Sequence, residues 1–215
     1  MVKKMKIIKC GGASLKNKND RVKLYKEIKK NKEKTILIVS AFDDCPYSTK
    51  SLSDLLSSNV TYEMRQQIIT LGEIISSIRV CNELLDEMID ATVIFKEDIG
   101  IYVKSSDKMD YIESLNDEYI LQKIENHKVI VVPGFIGINQ DKHIVSLNEN
   151  GSDLTAILIA KMLKINEVFL YKDVLGLSSI DPSTNKNTSL IFNIFAINMA
   201  VKSLPFSFKE TICLS

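Results

Sequence analysis

The chain has 215 residues, 45% of them apolar and 26% charged, an ordinary globular balance with enough apolar mass for a sizeable core. Its 28 basic and 27 acidic residues leave a formal charge of +1, so there is no global field to attract nucleic acid or an anionic membrane. The start carries Lys3, Lys4 and Lys6 but no signal-peptide core, and nowhere do 18 apolar residues run together; a soluble, cytoplasmic protein is expected.

Apolar, β-branched runs predict strands at Met5 to Cys10, Thr35 to Val39, Ala91 to Phe95, Val129 to Val132 and Glu167 to Tyr171. Several are nearly continuous, as strands buried on both faces should be. Between them, Arg21 to Lys34 reads as the solvated side of a helix with Leu24 and Ile28 inward. Met64 to Met88 places Ile68, Leu71, Ile75, Ile78, Leu85 and Met88 on one apolar stripe of a long helix. A polar hairpin is expected over Phe135 to Ser146, followed by a helix from Asp153 to Leu163 with Ser152 as its N-cap. Strands alternating with helices predict an α/β fold: a three-layer αβα arrangement around an open, mostly parallel sheet, in a single domain over residues 1–215.

The cysteines Cys10, Cys45, Cys81 and Cys213 share no C-x-x-C spacing, and His127 and His143 do not complete a familiar ligand set, so no metal site is expected. Cys10 reads as a small buried hydrophobe. In an open sheet, ligands bind beyond the carboxyl ends of the strands. There the first strand ends in Lys9-Cys10-Gly11-Gly12-Ala13-Ser14, a lysine followed by two glycines. Such a turn lets a phosphate approach backbone N–H groups while the lysine supplies charge. It is not a Walker loop, and a Gly-Gly turn alone also serves plain chain reversal. Ser40 ends the second strand, and Glu73 sits on an otherwise apolar helix. Ser152 and Asp153 open a helix, where Asp153 is either part of a cap or the partner that orients Lys9.

Taken together, six segments in order resemble the catalytic domain of aspartokinases, within the amino-acid-kinase family. They are Lys9 to Ser14, Ile38 to Ala41, Leu71-Gly72-Glu73, Val132 to Gly137, Gly151-Ser152-Asp153, and Tyr171 to Gly176 with Asp181-Pro182. The resemblance implies the amino-acid-kinase (carbamate-kinase-like) fold. It also implies phosphorylation of the aspartate side-chain carboxylate by ATP, with Mg2+ carried by the nucleotide. Lys9 and Asp153 would then be catalytic, with Lys9, Gly11, Gly12, Lys172, Asp173, Gly176 and Asp181 on ATP and its phosphates. Ser40, Thr49, Glu73 and Ser152 would bind the amino acid. A homodimer is implied as well, and a regulatory ACT-type domain is not expected.

The chain departs from the family pattern where Glu149 stands for an arginine that grips the substrate α-carboxylate, and Asn150 for a glycine. Two unit charges ~4 Å apart interact by roughly 4 kcal/mol at an effective dielectric of 20, so this reversal predicts weakened aspartate binding. Ala13 and Lys172 each replace a threonine, and the region after Pro182 is short, with Lys202 read as a solvated helix-end lysine in preference to a stand-in for a second functional lysine. Two alternatives therefore stand beside aspartate phosphorylation: a nucleotide-binding relative without turnover, and a kinase for another acceptor.

Overall fold

The computed structural model describes residues 5–95, 99–106, 109–115, 118–147, 151–165 and 168–171, with the short pairs 177–178 and 190–191. The chain runs β1 (Met5–Cys10), α1 (Gly12–Lys16), α2 (Lys18–Lys30), β2 (Lys34–Val39), α3 (Thr49–Ser53), α4 (Tyr62–Asp86), β3 (Ala91–Val93), β4 (Ile101–Ser106) and β5 (Met109–Leu115). It continues with α5 (Glu118–Asn126), β6 (Val129–Pro133), β7 (Ile136–Ile138), β8 (Ile144–Ser146), α6 (Gly151–Met162), β9 (Val168–Tyr171), β10 (Leu177–Ser178) and β11 (Leu190–Ile191). The central sheet has five strands in the order β3-β6-β2-β1-β9, every neighbouring pair parallel.

Its inner strands send alternate side chains into two cores. Ile7, Ile36, Ile38, Ile130 and Val132 meet Ile120 and Ile124 of α5 and Ala156 and Ile159 of α6 on one face. Ile8, Leu37, Val39, Val129 and Val131 meet Leu24, Tyr25 and Ile28 of α2 and Val80 and Leu84 of α4 on the other. A strand covered on both faces must be apolar at almost every position, which is why these runs read as continuous. The expected three-layer αβα fold with a parallel sheet is the one observed.

A second sheet of four strands, β5-β4-β7-β8, stands beside the first. Its β7–β8 hairpin lies where the polar turn predicts, but the antiparallel β4–β5 pair is absent from the sequence reading. Its residues mix Lys104, Ser105, Asp110 and Glu113 with apolar ones, and the register slips between Tyr102 and Val103, which breaks the period of two.

Four other expectations need correcting. The strand at Ala91 ends at Val93, and Phe95 is partly exposed. The long helix α4 begins earlier, capped by Thr61, which accepts the Met64 N–H. Its apolar stripe points outward: Leu71, Ile75, Ile78 and Leu85 are exposed, as is Met88, which lies beyond the end of the helix at Asp86, while Gln66, Thr70, Gly72, Glu73, Ser76 and Ser77 are buried. Small and polar residues let α4 approach the sheet and the loop after β2 closely, and an added Cβ at Gly72 would lie 2.4 Å from the Tyr47 carbonyl oxygen. On α2, Leu24 and Ile28 do point inward, but Arg21, read as solvated, is 1% exposed.

Candidate active site

The carboxyl ends of β1 and β2 and the start of α6 converge at one edge of the central sheet. Lys9 extends from β1 toward α6, where its Nζ lies 2.8 Å from Asp153 Oδ1, and both side chains are buried. Charges removed from water in this way require one another, because losing either leaves an uncompensated buried charge. Asp153 stands in the first turn of α6, where the helix dipole favours an anion. That helix begins at Gly151, so Ser152 lies within its first turn and is not the cap expected from the sequence.

Backbone contacts hold the glycine turn against its neighbours. Gly11 N–H and Ser14 Oγ both donate to the Tyr171 carbonyl, at 3.0 and 3.1 Å, and Ser40 N–H donates to the Cys10 carbonyl at 3.1 Å. A Cβ at Gly12 would stand 2.3 Å from the Ala41 oxygen and 2.5 Å from Asp43 Oδ1, so the loop after β2 requires glycine there. Cys10 is buried beside this turn, and burial pushes its thiol up to about 12, so it remains protonated and unreactive.

Opposite Ser152 lies Glu73 of α4, 4% exposed. Its carboxylate accepts from Ser152 Oγ at 3.4 Å and from the Ala41 backbone. Burial pushes the carboxyl up to about 8, against the opposing pull of the Ala41 N–H, the Lys9 charge and Ser152. After β6, Gly134 gives Ser152 its room, since a Cβ there would lie 2.5 Å from the Ser152 Cβ. The next residue, Phe135, has a φ of 65°, a left-handed backbone that is strained for an aromatic residue. Its N–H is tied to Thr155 Oγ1 of α6 at 3.2 Å.

Of the residues singled out from the sequence, Lys9, Asp153, Ser152 and Glu73 form one buried cluster, with Gly11, Gly12 and Ser40 around it. Thr49 stands apart at the start of α3, in a neighbouring cleft of about 890 Å³ that it shares with Ala13. Lys172, Asp173, Gly176 and Asp181 lie outside the described residues, as do Glu149, Asn150 and Lys202.

A second charged cluster escapes sequence reasoning. Arg21 of α2 donates from Nε and Nη2 to both oxygens of Glu83 on α4 at 2.7 Å, and from Nη1 to the Leu15 and Lys16 carbonyls at 2.5 and 3.3 Å. It thereby satisfies carbonyls at the end of α1, the short helix that begins at Gly12. Tyr25 Oη and Arg79 Nε also donate to Glu83. The Arg21 and Arg79 guanidinium groups both lie over the Phe42 ring, 4.9 and 5.1 Å from its centre. Only the burial of one arginine within a lysine-rich helix could have signalled this, and nothing local encodes it.

The model of the amino acid kinase family matches residues 4–204. An aspartokinase of Rickettsia conorii is 28% identical over 201 residues, 90% of this chain and 50% of that protein. The chain thus spans about half the length of the curated relatives it matches. Among solved structures, E. coli aspartokinase III in complex with aspartate and ADP superposes with a TM-score of 0.69 at 15% identity, covering 86% of this chain and 53% of that one. A T. acidophilum isopentenyl phosphate kinase product complex superposes at 0.60 and 15% identity, covering 89% and 79%. The family model spans both the glycine turn after β1 and the α6 start that carries its acidic partner, and this chain belongs to the amino acid kinase family.

Proposed function

We propose that the chain transfers the γ-phosphoryl group of ATP to the side-chain carboxylate of aspartate, giving 4-phosphoaspartate and ADP. The observation that carries this reading is the buried Lys9–Asp153 pair beside the Gly11-Gly12 turn. In the reaction a carboxylate oxygen attacks the γ-phosphorus and the bond to ADP breaks, with no covalent enzyme intermediate. Charge accumulates on the transferring oxygens, so a fixed cation and backbone N–H groups lower the barrier by position and field. Lys9 would hold those oxygens, Asp153 would keep Lys9 aimed, and Gly11 and Gly12 would let the phosphates approach the backbone. Glu73, Ser40, Thr49 and Ser152 would bind the amino acid, Glu73 through its ammonium group. Lys172, Asp173, Gly176 and Asp181 would hold the nucleotide, as the resemblance implies.

Magnesium would arrive on the nucleotide and neutralise phosphate charge. We further propose one catalytic domain acting in the cytoplasm, at the entry to aspartate-derived amino acid biosynthesis, lysine included. Among the described residues no helix is long and apolar enough to cross a membrane. The homodimer implied by the resemblance would use the outward stripe of α4, where Met64, Ile68, Leu71, Ile75, Ile78 and Leu85 alternate spacings of four and three, with Asn82 in the seam.

The reading is tested by trapping the acyl phosphate with hydroxylamine in the presence of ATP, magnesium and aspartate, with Lys9→Ala as the blank. A signal lost in the variant is expected. A signal that survives Lys9→Ala removes the mechanism, and nucleotide binding with no product favours the second reading, a non-catalytic relative, to which Glu149 lends weight.

A further inference from the structure

The junction between β6 and β7 carries the chain from the central sheet into the second sheet, and its backbone is held on several sides. Gly134 N–H donates to the Val39 carbonyl at 3.0 Å and so extends the β2–β6 ladder by one residue. Phe135, the strained residue that follows, accepts from Leu147 N–H at 2.8 Å and donates to Thr155 Oγ1 at 3.2 Å. The same hydroxyl donates to the Gly151 carbonyl at 2.9 Å, and Thr155 is fully buried. A threonine inside a helix often returns its proton to the carbonyl four residues back. Accepting at the same time from a distant segment makes this hydroxyl a tie between the junction and the first residue of α6.

The two surfaces joined in this way meet backbone to backbone. An added Cβ at Gly134 would lie 2.8 Å from Ser152 Cα, and one at Gly151 would lie 3.2 Å from Phe135 Cα. Ser152 and Asp153 stand between Gly151 and Thr155, the two α6 residues that the hydroxyl engages. From there Ser152 Oγ reaches Glu73 at 3.4 Å and Asp153 reaches Lys9 at 2.8 Å. The Ser152 contact is already near the outer limit of a hydrogen bond, so it is the one that a small shift of the helix would end.

We infer that Thr155 is a positioning residue for the acceptor end of the site: its hydroxyl locks the first turn of α6 onto the Gly134-Phe135 junction and thereby keeps Ser152 against Glu73. The inference rests on the reading in which Ser152 and Glu73 bind the acceptor amino acid. It also gives the left-handed backbone at Phe135 a use, since the bond that sustains the strain ends in the helix that carries the site.

The test follows the Glu73 carboxyl by carbon NMR across pH in the whole chain without ligand, assigned with Glu73→Gln, for the native protein, Thr155→Val and Thr155→Ser. Glu73 feels the Ala41 N–H and the charges of Lys9 and Asp43 as well as the Ser152 hydroxyl, which holds its carboxyl down; of these only Ser152 stands on α6. Thr155→Val keeps the shape and deletes the hydroxyl, so it should move the titration midpoint up by about half a pH unit, the effect of one long hydrogen bond. Thr155→Ser keeps the hydroxyl and should titrate as the native chain does. In kinetics, Thr155→Val should raise the aspartate KM about threefold and leave the ATP KM unchanged. An unmoved midpoint in Thr155→Val overturns the proposal, as does a midpoint that moves equally in Thr155→Ser, which would make packing of the methyl group the cause. An ATP KM that rises with that for aspartate marks general loosening and overturns it too. If Thr155→Val does not fold, Thr155→Ser decides: a native midpoint supports the tie and a displaced one removes it. A native chain that turns over no aspartate refutes the aspartate kinase reading, while the midpoints still decide on Thr155.

Discussion

Glu73 and Glu83 are the same residue type on the same helix, and their surroundings move them in opposite directions. For Glu83, burial alone would raise the carboxyl, but the hydrogen bonds from Arg21, Tyr25 and Arg79 and the Arg21 charge outweigh it and hold it below the usual carboxylate range. For Glu73, burial dominates because its partners are few and weaker, and the carboxyl rises to about 8. Glu83 is a finished structural joint that ties α2, the end of α1 and the loop after β2 to α4. Glu73 is left short of partners at the edge where strands and loops converge, as a binding group awaiting a cation would be. The difference shows that burial by itself does not set the direction in which a carboxyl titrates; the number and charge of its partners do.

The largest effect should come from breaking the finished joint. Glu83→Ala leaves Arg21 buried and unpaired and should cost about 3–5 kcal/mol in urea unfolding. Pairing Arg21→Met with Glu83→Leu should recover most of that loss, since apolar residues of similar size often replace a buried ion pair at little cost. A single variant costing under about 1 kcal/mol would mean the cluster is decoration.

Glu73 should respond next, and with the other sign. Its folded carboxyl binds a proton that the unfolded chain has released, so stability is complete below about pH 4.5 and declines as pH rises toward about 8. Glu73→Gln should remove this slope and make the variant more stable than the native chain at pH 8.5, by an amount on the order of a few kcal/mol. Parallel unfolding curves for the two proteins across pH 5.5–8.5 would contradict the assignment. If Glu73 also receives the substrate ammonium group, the KM for aspartate should fall as pH rises through 8, a trend that Glu73→Gln should abolish.

A smaller effect is expected at the outward stripe of α4, on the face opposite both glutamates. Ile75→Asp should change monomer stability by no more than about 0.5 kcal/mol. It should nevertheless halve the mass seen by light scattering if α4 pairs with a second copy, and an unchanged mass would exclude that seam.

The parallel strands were legible because double burial demands uninterrupted β-branched runs, and the Lys9 to Ser14 segment because two glycines directly after a strand mark a tight turn. The proximity of Glu73 to Ser152 and of Lys9 to Asp153 agrees with the order of the motifs, although each pair joins distant parts of the chain. Arg21 was not legible, because its partner lies on another helix and a lysine-rich segment looks solvated throughout. Nor was the direction of the α4 stripe: periodicity reveals that a helix has two unlike faces, but not that the polar one is needed against the loop carrying Ala41 and Tyr47.

The register of the central sheet also bears on how the protein is made. β1 pairs on one side with β2 and on the other with β9, Ile7 lying opposite Val168. At roughly 5–20 residues per second of synthesis, β9 leaves the ribosome about 8–30 s after β1. Throughout that interval β1 lacks its β9 neighbour, so among the described strands the last of the central sheet to be translated closes the flank of the first and sets how long a chaperone has to guard it.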